Sequence, residues 1–180
     1  MKTISYELNG HTFYLCLNGQ ALFDAYDKFG YEGFLTKHIE GKDKQSFENT
    51  CWLLAKLAEQ GELVRRWQGL ERGPIAPVEY FRAHLRPLDV AGAKNAIREA
   101  ITLGFSREEE RERLVRDLGL EELQKKNGKS EITRSWWLDL LTQFLHLGVR
   151  EGLLLTPGQV LDLQELEIQR RGLRREEDNC

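Results

Sequence analysis

The feature that most constrains the fold lies near the carboxyl end of the chain, in residues 130–172. Two adjacent tryptophans, Trp136 and Trp137, belong to an apolar run that is typical of a broad helix face. Further along, Thr156 and Pro157 indicate the start of another helix, because a threonine hydroxyl caps a first turn and proline fits the first helical position. The sequence therefore predicts a C-terminal helical hairpin whose apolar face must pack against something.

The apolar residues of this hairpin form the candidate interaction site. Neighbouring residues on a helix point about 100° apart, so burying both tryptophans requires a wide contact surface. One interpretation is a shared intramolecular core. The other is a surface for a partner protein, since exposed apolar patches mark interaction sites and tryptophan is enriched in binding hot spots. The candidate residues are Trp136, Trp137, Leu140, Leu141, Phe144, Leu153, Leu154, Leu155, Val160 and Leu163.

The N-terminal residues predict a β-hairpin. Ile4, Tyr6 and Leu8 alternate along one face of a first strand, and Asn9-Gly10 supplies the favoured two-residue turn, where both positions tolerate positive φ. An isolated two-stranded hairpin is only marginally stable in water. It must therefore dock on helices of its own chain, or associate with a second copy through its edge.

Amphipathic helices are predicted between these two ends, from apolar residues spaced three and four apart. We expect Asp43 or Ser46 to cap the longest helix, Trp67 to belong to its apolar stripe, and Gly61 to break or kink it. Residues 69–77 contain two glycines and two prolines and predict a loop. The other predicted helices cover residues 20–29, 34–39 and 78–85, and one more runs from Pro87 to about Gly104.

The segment after Ser106 is strongly charged. Ser106 and Glu109 match a capping box at the head of a predicted helix over 107–126. Its interleaved glutamates and arginines indicate surface ion pairs at helical spacing rather than a carboxylate site. Asn127-Gly128 is the predicted boundary between a body, 1–128, and a C-terminal extension, 129–180. Ser130 is expected to cap the next helix, and residues 170–180 to form a frayed, charged tail.

The sequence therefore predicts a mainly α fold: a helical domain with an N-terminal β-hairpin and a C-terminal helical hairpin. Its 180 residues suit one domain, or one domain with an appendage. The net charge is −3 with both signs interspersed, which argues against nucleic acid, because phosphate binding favours a basic excess. No apolar run approaches the ~20 residues of a membrane span. No signal peptide is recognisable either, and we expect a cytoplasmic protein.

Residue patterns of catalytic and metal sites are weak in this chain. The three cysteines are widely spaced, and Cys16 and Cys51 are expected to be small core residues. Phosphate-binding loops and nucleophile elbows do not occur. We therefore expect no enzyme, no cofactor and no metal site. None of the histidines has a second ligand three or four residues away: His11, His38, His84 and His146.

Three stretches resemble the tail assembly chaperones of tailed phages and of prophages in Gram-positive bacteria: FYLCLNGQALFDAYDKFG, LLAKLAEQGELVRRWQGLERGPI and GLLLTPGQVLDLQELEIQRRG. The third looks like the C-terminal extension of the longer form of such chaperones. The resemblance implies a non-enzymatic role, in which the protein binds the long, helical tape measure protein, keeps it soluble and helps to recruit tail tube subunits around it. In the family, the longer form commonly arises by ribosomal frameshifting.

By this resemblance, residues 1 to about 126 are the part that binds the tape measure protein, and residues 130–180 are the extension that meets the tail tube protein. Copies are expected to self-associate through the hairpin edge. An alternative from another class is a helical regulatory module of phage or bacterial origin that binds DNA or protein. It requires a basic face, which the linear charge pattern does not show. An enzyme requires a pocket with converging polar groups.

Overall fold

The computed structural model describes residues 2–30, 35–107 and 132–177. Within them the chain is mainly α with one antiparallel hairpin, as predicted. The hairpin strands are β1 (Ile4–Leu8) and β2 (His11–Leu15). A 3-10 helix covers Leu35–Ile39, and a π-helical turn covers Leu140–Phe144. The α-helices are α1 (Gly19–Phe29), α2 (Lys44–Trp67), α3 (Val78–His84), α4 (Val90–Phe105), α5 (Arg134–Asp139), α6 (Val149–Leu154) and α7 (Pro157–Glu177).

The hairpin forms where the sequence predicts it and docks on helices of its own chain. Its register runs from Ile4 opposite Leu15 to Leu8 opposite His11. The turn residues Asn9 and Gly10 have φ of 51° and 76°, as a two-residue turn of this kind requires. The inward face packs on α2 and α4, and it contributes Leu8, Phe13 and Leu15 to the core.

Helix α2 is the central element of the fold. Asp43 caps it, with the Asp43 Oδ1 atom accepting a hydrogen bond from the Ser46 amide at 2.7 Å. The predicted break at Gly61 is wrong, since the helix runs unbroken through this residue. A Cβ at Gly61 would lie 1.7 Å from the Tyr14 carbonyl oxygen. The glycine therefore allows the backbone of β2 to cross directly over the helix.

The described residues form two apolar clusters, and α1 contributes to both. The first cluster joins the hairpin, α1, α2, α3 and α4. In the second, Phe23 of α1 packs on the C-terminal helices, with its ring centroid 5.6 Å from that of Trp137. The Gly19 amide also donates to the Leu155 carbonyl at 2.9 Å. The predicted boundary at Gly128 lies outside the described residues, but the described residues on its two sides share this second cluster.

The C-terminal helical hairpin is more divided than predicted. Helix α5 begins at Arg134 and is capped by Thr133, whose hydroxyl accepts a hydrogen bond from the Trp136 amide at 3.2 Å. Ser130, the expected cap, lies outside the described residues. The π-helical turn continues α5 directly to Phe144, and α6 occupies the connection to α7. Thr156 caps α7 as predicted: its amide donates to the Gln159 side chain at 2.9 Å, and the Gln159 amide donates to the Thr156 hydroxyl at 3.4 Å.

Two further predicted helix boundaries differ from the structure. Helix α4 begins at Val90 rather than at Pro87, and α7 continues to Glu177, through residues expected to form a frayed tail. Beyond Arg107, the helix predicted over 107–126 lies outside the described residues, as does its capping partner Glu109. Within the described ranges, no helix is both long enough and apolar enough to cross a membrane.

Candidate protein-interaction surface

The structure brings most of the ten candidate interaction residues together, but at the second cluster rather than on an open surface. Four of them are 0–7% exposed and lie in its interior, so the structure places them in an intramolecular core and not on an accessible surface: Trp137, Leu140, Leu141 and Val160. Trp136, Phe144, Leu153 and Leu155 pack at its margin, half-buried. Leu154 and Leu163 are also half-buried. A role in partner binding remains a prediction for these six.

Trp137 is buried because α1 provides space for its indole ring. A Cβ at Gly19 would lie only 2.8 Å from the Cζ2 atom of that ring. Since Gly19 has no side chain, the indole approaches the first turn of α1 closely, and its plane is nearly perpendicular to that of the Phe23 ring. The pair of adjacent tryptophans is thus split between the interior and the margin of the cluster.

A different part of the chain presents apolar side chains to solvent. Seven large apolar side chains are exposed in the described residues, and four of them fall within residues 63–75. We call these four the α2-end patch: Leu63, Trp67, Leu70 and Ile75, which are 36%, 63%, 43% and 44% exposed. Leu63 and Trp67 lie one helical turn apart on α2, and the other two lie in the loop that follows it. Their concentration within one short stretch of sequence is what distinguishes these four from the single exposed apolar residues elsewhere.

The backbone at the end of α2 fixes the direction in which this loop leaves. Gly69 has a φ of 75°, and its amide donates to the Arg66 carbonyl at 3.1 Å. The Leu70 amide donates to the Arg65 carbonyl at 3.0 Å. These two bonds and the left-handed glycine make a Schellman motif, which satisfies the last carbonyls of the helix. Leu70 is therefore held close to the last turn of α2.

A buried carboxylate then ties the loop to the helix a second time. Glu62 is 2% exposed, and its Oε1 atom accepts from the Gly73 amide and from Arg66 Nε, each at 2.7 Å. Arg66 also donates a hydrogen bond of 3.2 Å from its Nη2 atom to the Gly73 carbonyl. A buried charge is stable only when it is paired and hydrogen-bonded in this way. The loop therefore has a defined position beside α2.

Arg65 connects the base of the patch to the hairpin. Its guanidinium carbon lies 3.8 Å from the centroid of the Tyr14 ring, and its Nε atom lies 3.7 Å from Glu62. Stacking of an arginine on an aromatic face adds attraction to the area that the two groups bury. The α2-end patch thus rests on a support made of helix, loop and strand, and can offer a preformed apolar surface.

Elsewhere in the described residues, the candidate sites for a small ligand or a metal ion are weaker than the α2-end patch. An open cleft of about 400 Å³ lies between the start of α2 and the start of α4, beside Lys42 and Lys94. Lys94 is already bonded to the Gly41 carbonyl at 2.7 Å and the Ser46 hydroxyl at 3.1 Å. Across the described residues, no three His, Cys, Asp or Glu side chains are grouped to hold a metal ion.

The buried cysteines lie where the sequence predicts them, in the core. Burial raises the pKa of the Cys16 thiol to about 12 and that of Cys51 to about 11. Both are therefore protonated near neutral pH and are poor nucleophiles in the folded protein.

The exposed position of Trp67 can be recognised from its spacing to the apolar stripe of α2. The apolar stripe of α2 passes through Phe47, Cys51, Leu54 and Ala58. Trp67 follows Ala58 by nine residues, so at about 100° per residue it lies on the opposite side of the helix. Its assignment to the stripe is therefore wrong, as its 63% exposure shows.

Comparison of the chain with known protein families, with curated proteins and with solved structures found no match.

Proposed function

We propose that the chain is a non-enzymatic assembly chaperone of the phage-tail type, which binds helical segments of a tape measure protein through the α2-end patch. The observation that carries the proposal is the patch itself: four exposed apolar side chains on α2 and on a loop whose backbone is fixed by the Schellman motif and by Glu62. The patch falls within residues 53–75, the middle stretch of the resemblance to tail assembly chaperones.

The physical basis is the burial of apolar helix faces. A tape measure protein presents long apolar seams that would aggregate before the tail tube encloses them. Leu63 and Trp67 from one helix, with Leu70 and Ile75 from the loop that follows it, would offer a site for the apolar face of such a helix. Fully burying one large apolar side chain contributes about 1.5–3 kcal/mol. Each copy therefore binds with modest affinity, and many copies together cover the seam while remaining releasable.

The second part of the proposal concerns the tail tube protein. We assign its recruitment to six half-buried apolar residues of the extension: Trp136, Phe144, Leu153, Leu154, Leu155 and Leu163. The two surfaces then belong to different elements, α2 with its loop and the C-terminal helices. Activity of this kind would take place in the cytoplasm of the bacterial host.

The test is co-purification of the full chain with the products of the neighbouring tape measure and tail tube genes. Trp67→Ala should weaken binding of the tape measure protein at least tenfold, because exposed tryptophans are frequent hot spots. The matched control is Leu88→Ala, since Leu88 is 92% exposed but lies outside the patch. Trp136→Ala should weaken tail tube binding alone.

Two results would overturn the proposal. One is failure of the unaltered chain to retain the tape measure protein, and the other is an equal effect of Trp67→Ala and Leu88→Ala. A mobility shift with DNA that weakens steeply with salt would instead favour the regulatory alternative, because phosphate contacts release counterions.

A further inference from the structure

The two edges of the β-hairpin differ in how they are covered. The outer edge of β2 lies against α2: the Cys16 amide donates to the Leu57 carbonyl at 3.0 Å, and the Tyr14 carbonyl faces Gly61. The two-residue turn makes Leu8 and His11 a hydrogen-bonded pair, so the backbone groups of Ser5 and Glu7 point away from β2. In the described part of the chain, no backbone hydrogen bond reaches these outward groups.

The side chains of β1 also indicate an open edge. Ile4 and Tyr6, on the inward face, are half-buried, whereas Phe13 and Leu15 on the neighbouring strand are 2% and 0% exposed. The strand contains no proline, lysine or bulge of the kind that commonly protects an edge from pairing. Its unpaired amides and carbonyls therefore form a template for one more antiparallel strand.

We propose that β1 pairs with β1 of a second copy of this chain, antiparallel and about a two-fold axis at Ser5. In this register Ser5 faces its own counterpart, Ile4 faces Tyr6, and Thr3 faces Glu7. The two hairpins form one four-stranded sheet across two molecules. The proposal does not depend on the function proposed above.

Self-complementarity is what selects a second copy as the occupant. The register sets a β-branched side chain against an aromatic one on both sides of the axis, a favourable cross-strand pair. It sets no like charges opposite each other, since Glu7 faces a threonine. The partly exposed apolar strip of Ile4 and Tyr6 is continued by the same strip of the other copy. Such an interface is small, so the dimer is weak and depends on concentration.

Disulfide trapping tests the register in the full chain, with Cys180→Ser added to remove the C-terminal thiol. Opposed residues of a hydrogen-bonded pair have Cα atoms about 5.5 Å apart, within the range of a disulfide. Ser5→Cys should therefore form a covalent dimer under mild oxidation. The matched control is Glu7→Cys, which is also exposed on the same edge. The two Glu7 positions lie four residues apart along the strands, about 13 Å, and should not cross-link.

Sedimentation of the uncross-linked chain provides an independent measurement. The native protein and Thr12→Lys, on the neighbouring strand, should dimerise with increasing concentration. Ser5→Lys should remain monomeric, because it places two ammonium groups across the axis. Cross-linking of neither cysteine variant, or of both equally, would overturn the proposal. A native chain that stays monomeric at millimolar concentration would also overturn it. If the Ser5 and Glu7 amides of that monomer are protected from hydrogen exchange, the chain covers its own edge.

Discussion

Trp137 and Trp67 occupy opposite environments, although both belong to helices rich in apolar residues. Trp137 is fully buried against Gly19 and Phe23, and Trp67 is 63% exposed at the end of α2. The difference comes from the elements that face them. A glycine on α1 leaves room for one indole, whereas the other lies on the side of α2 that no described element covers. The apolar content of a helix therefore does not show by itself which side chains form a core and which form an interface.

The largest expected effect is a difference in the free energy of unfolding between alanine variants of the two tryptophans. Trp137→Ala should lower the free energy of unfolding by about 3–5 kcal/mol, because it leaves a cavity in the second cluster. Trp67→Ala should change it by less than about 0.5 kcal/mol, since the side chain is mostly in water already. Denaturant unfolding measures both values. If Trp137→Ala does not fold, Trp137→Phe serves instead, with an intermediate loss.

Equal losses for the two alanine variants would contradict this comparison. That result would mean that Trp67 is buried in solution, by the chain or by another copy, and the α2-end patch would not be an open surface.

The second effect concerns the glycine beneath Trp137. Gly19→Ala should destabilise the protein by about 1–3 kcal/mol, because a Cβ would press on the indole ring. Gly92→Ala is the matched control, since Gly92 is also helical but has no atom within 4 Å of an added Cβ. It should be neutral or stabilise the protein by up to about 1 kcal/mol, through helix propensity alone.

A double-mutant cycle sharpens this test. Gly19→Ala combined with Trp137→Leu should cost less than the sum of the two single changes, because the smaller side chain relieves the clash. Additive losses would show that the two positions do not contact each other.

The third effect concerns the support of the α2-end patch. Glu62→Gln removes the charge that accepts bonds from the Gly73 amide and Arg66, and should destabilise the protein by about 1–3 kcal/mol. Hydrogen exchange should accelerate in residues 69–77 more than in the hairpin. Glu59→Gln is the control, because Glu59 makes only a half-exposed ion pair with Lys56, at 3.0 Å, and should lose less than about 1 kcal/mol. Unchanged exchange at Gly73 would mean that Glu62 does not hold the loop.

The smallest effect concerns charges near the second cluster. Hydrogen bonds from Arg170 and Arg171 lower the pKa of Glu167 from 4.5 to about 2. A carboxyl group whose folded pKa is depressed contributes stability above its unfolded pKa, and this contribution disappears as the pH falls through the folded value. NMR titration should therefore find the Glu167 midpoint near pH 2, and Arg171→Gln should raise it. A midpoint near 4.5 in the native protein would mean that these bonds do not persist in solution.

Local chemistry made much of the fold predictable. Asn9-Gly10 determined the hairpin turn, Asp43 the start of α2, and the Thr156-Pro157 pair the start of α7. These signals are readable because each depends on residues that are adjacent or three apart in the sequence. The end of α2 belongs to the same class, since Gly69 lies where a helix-terminating glycine is expected.

The remaining features depend on contacts between distant elements. Gly61 suggested a helix break but allows β2 to cross α2, and Gly19 makes room for Trp137 across more than a hundred residues. A glycine that ends a helix and one that admits a neighbour are identical in sequence. The burial of the candidate interaction residues could not be predicted for the same reason. Trp136 and Trp137 are neighbours in sequence, and packing against α1, rather than their own helix, determines which of them is buried.

The alkylation rates of the two buried thiols report how often different parts of this protein open. Because burial keeps Cys16 and Cys51 protonated, an alkylating reagent modifies them only when a fluctuation exposes them. Cys16 directly follows β2, and its amide donates a hydrogen bond to the Leu57 carbonyl of α2. Its labelling rate therefore reports how often the strand separates from α2. Cys51 lies within α2 itself, and its rate counts openings of the larger core. The ratio of the two rates therefore measures whether the hairpin lifts off alone or only when the whole domain opens.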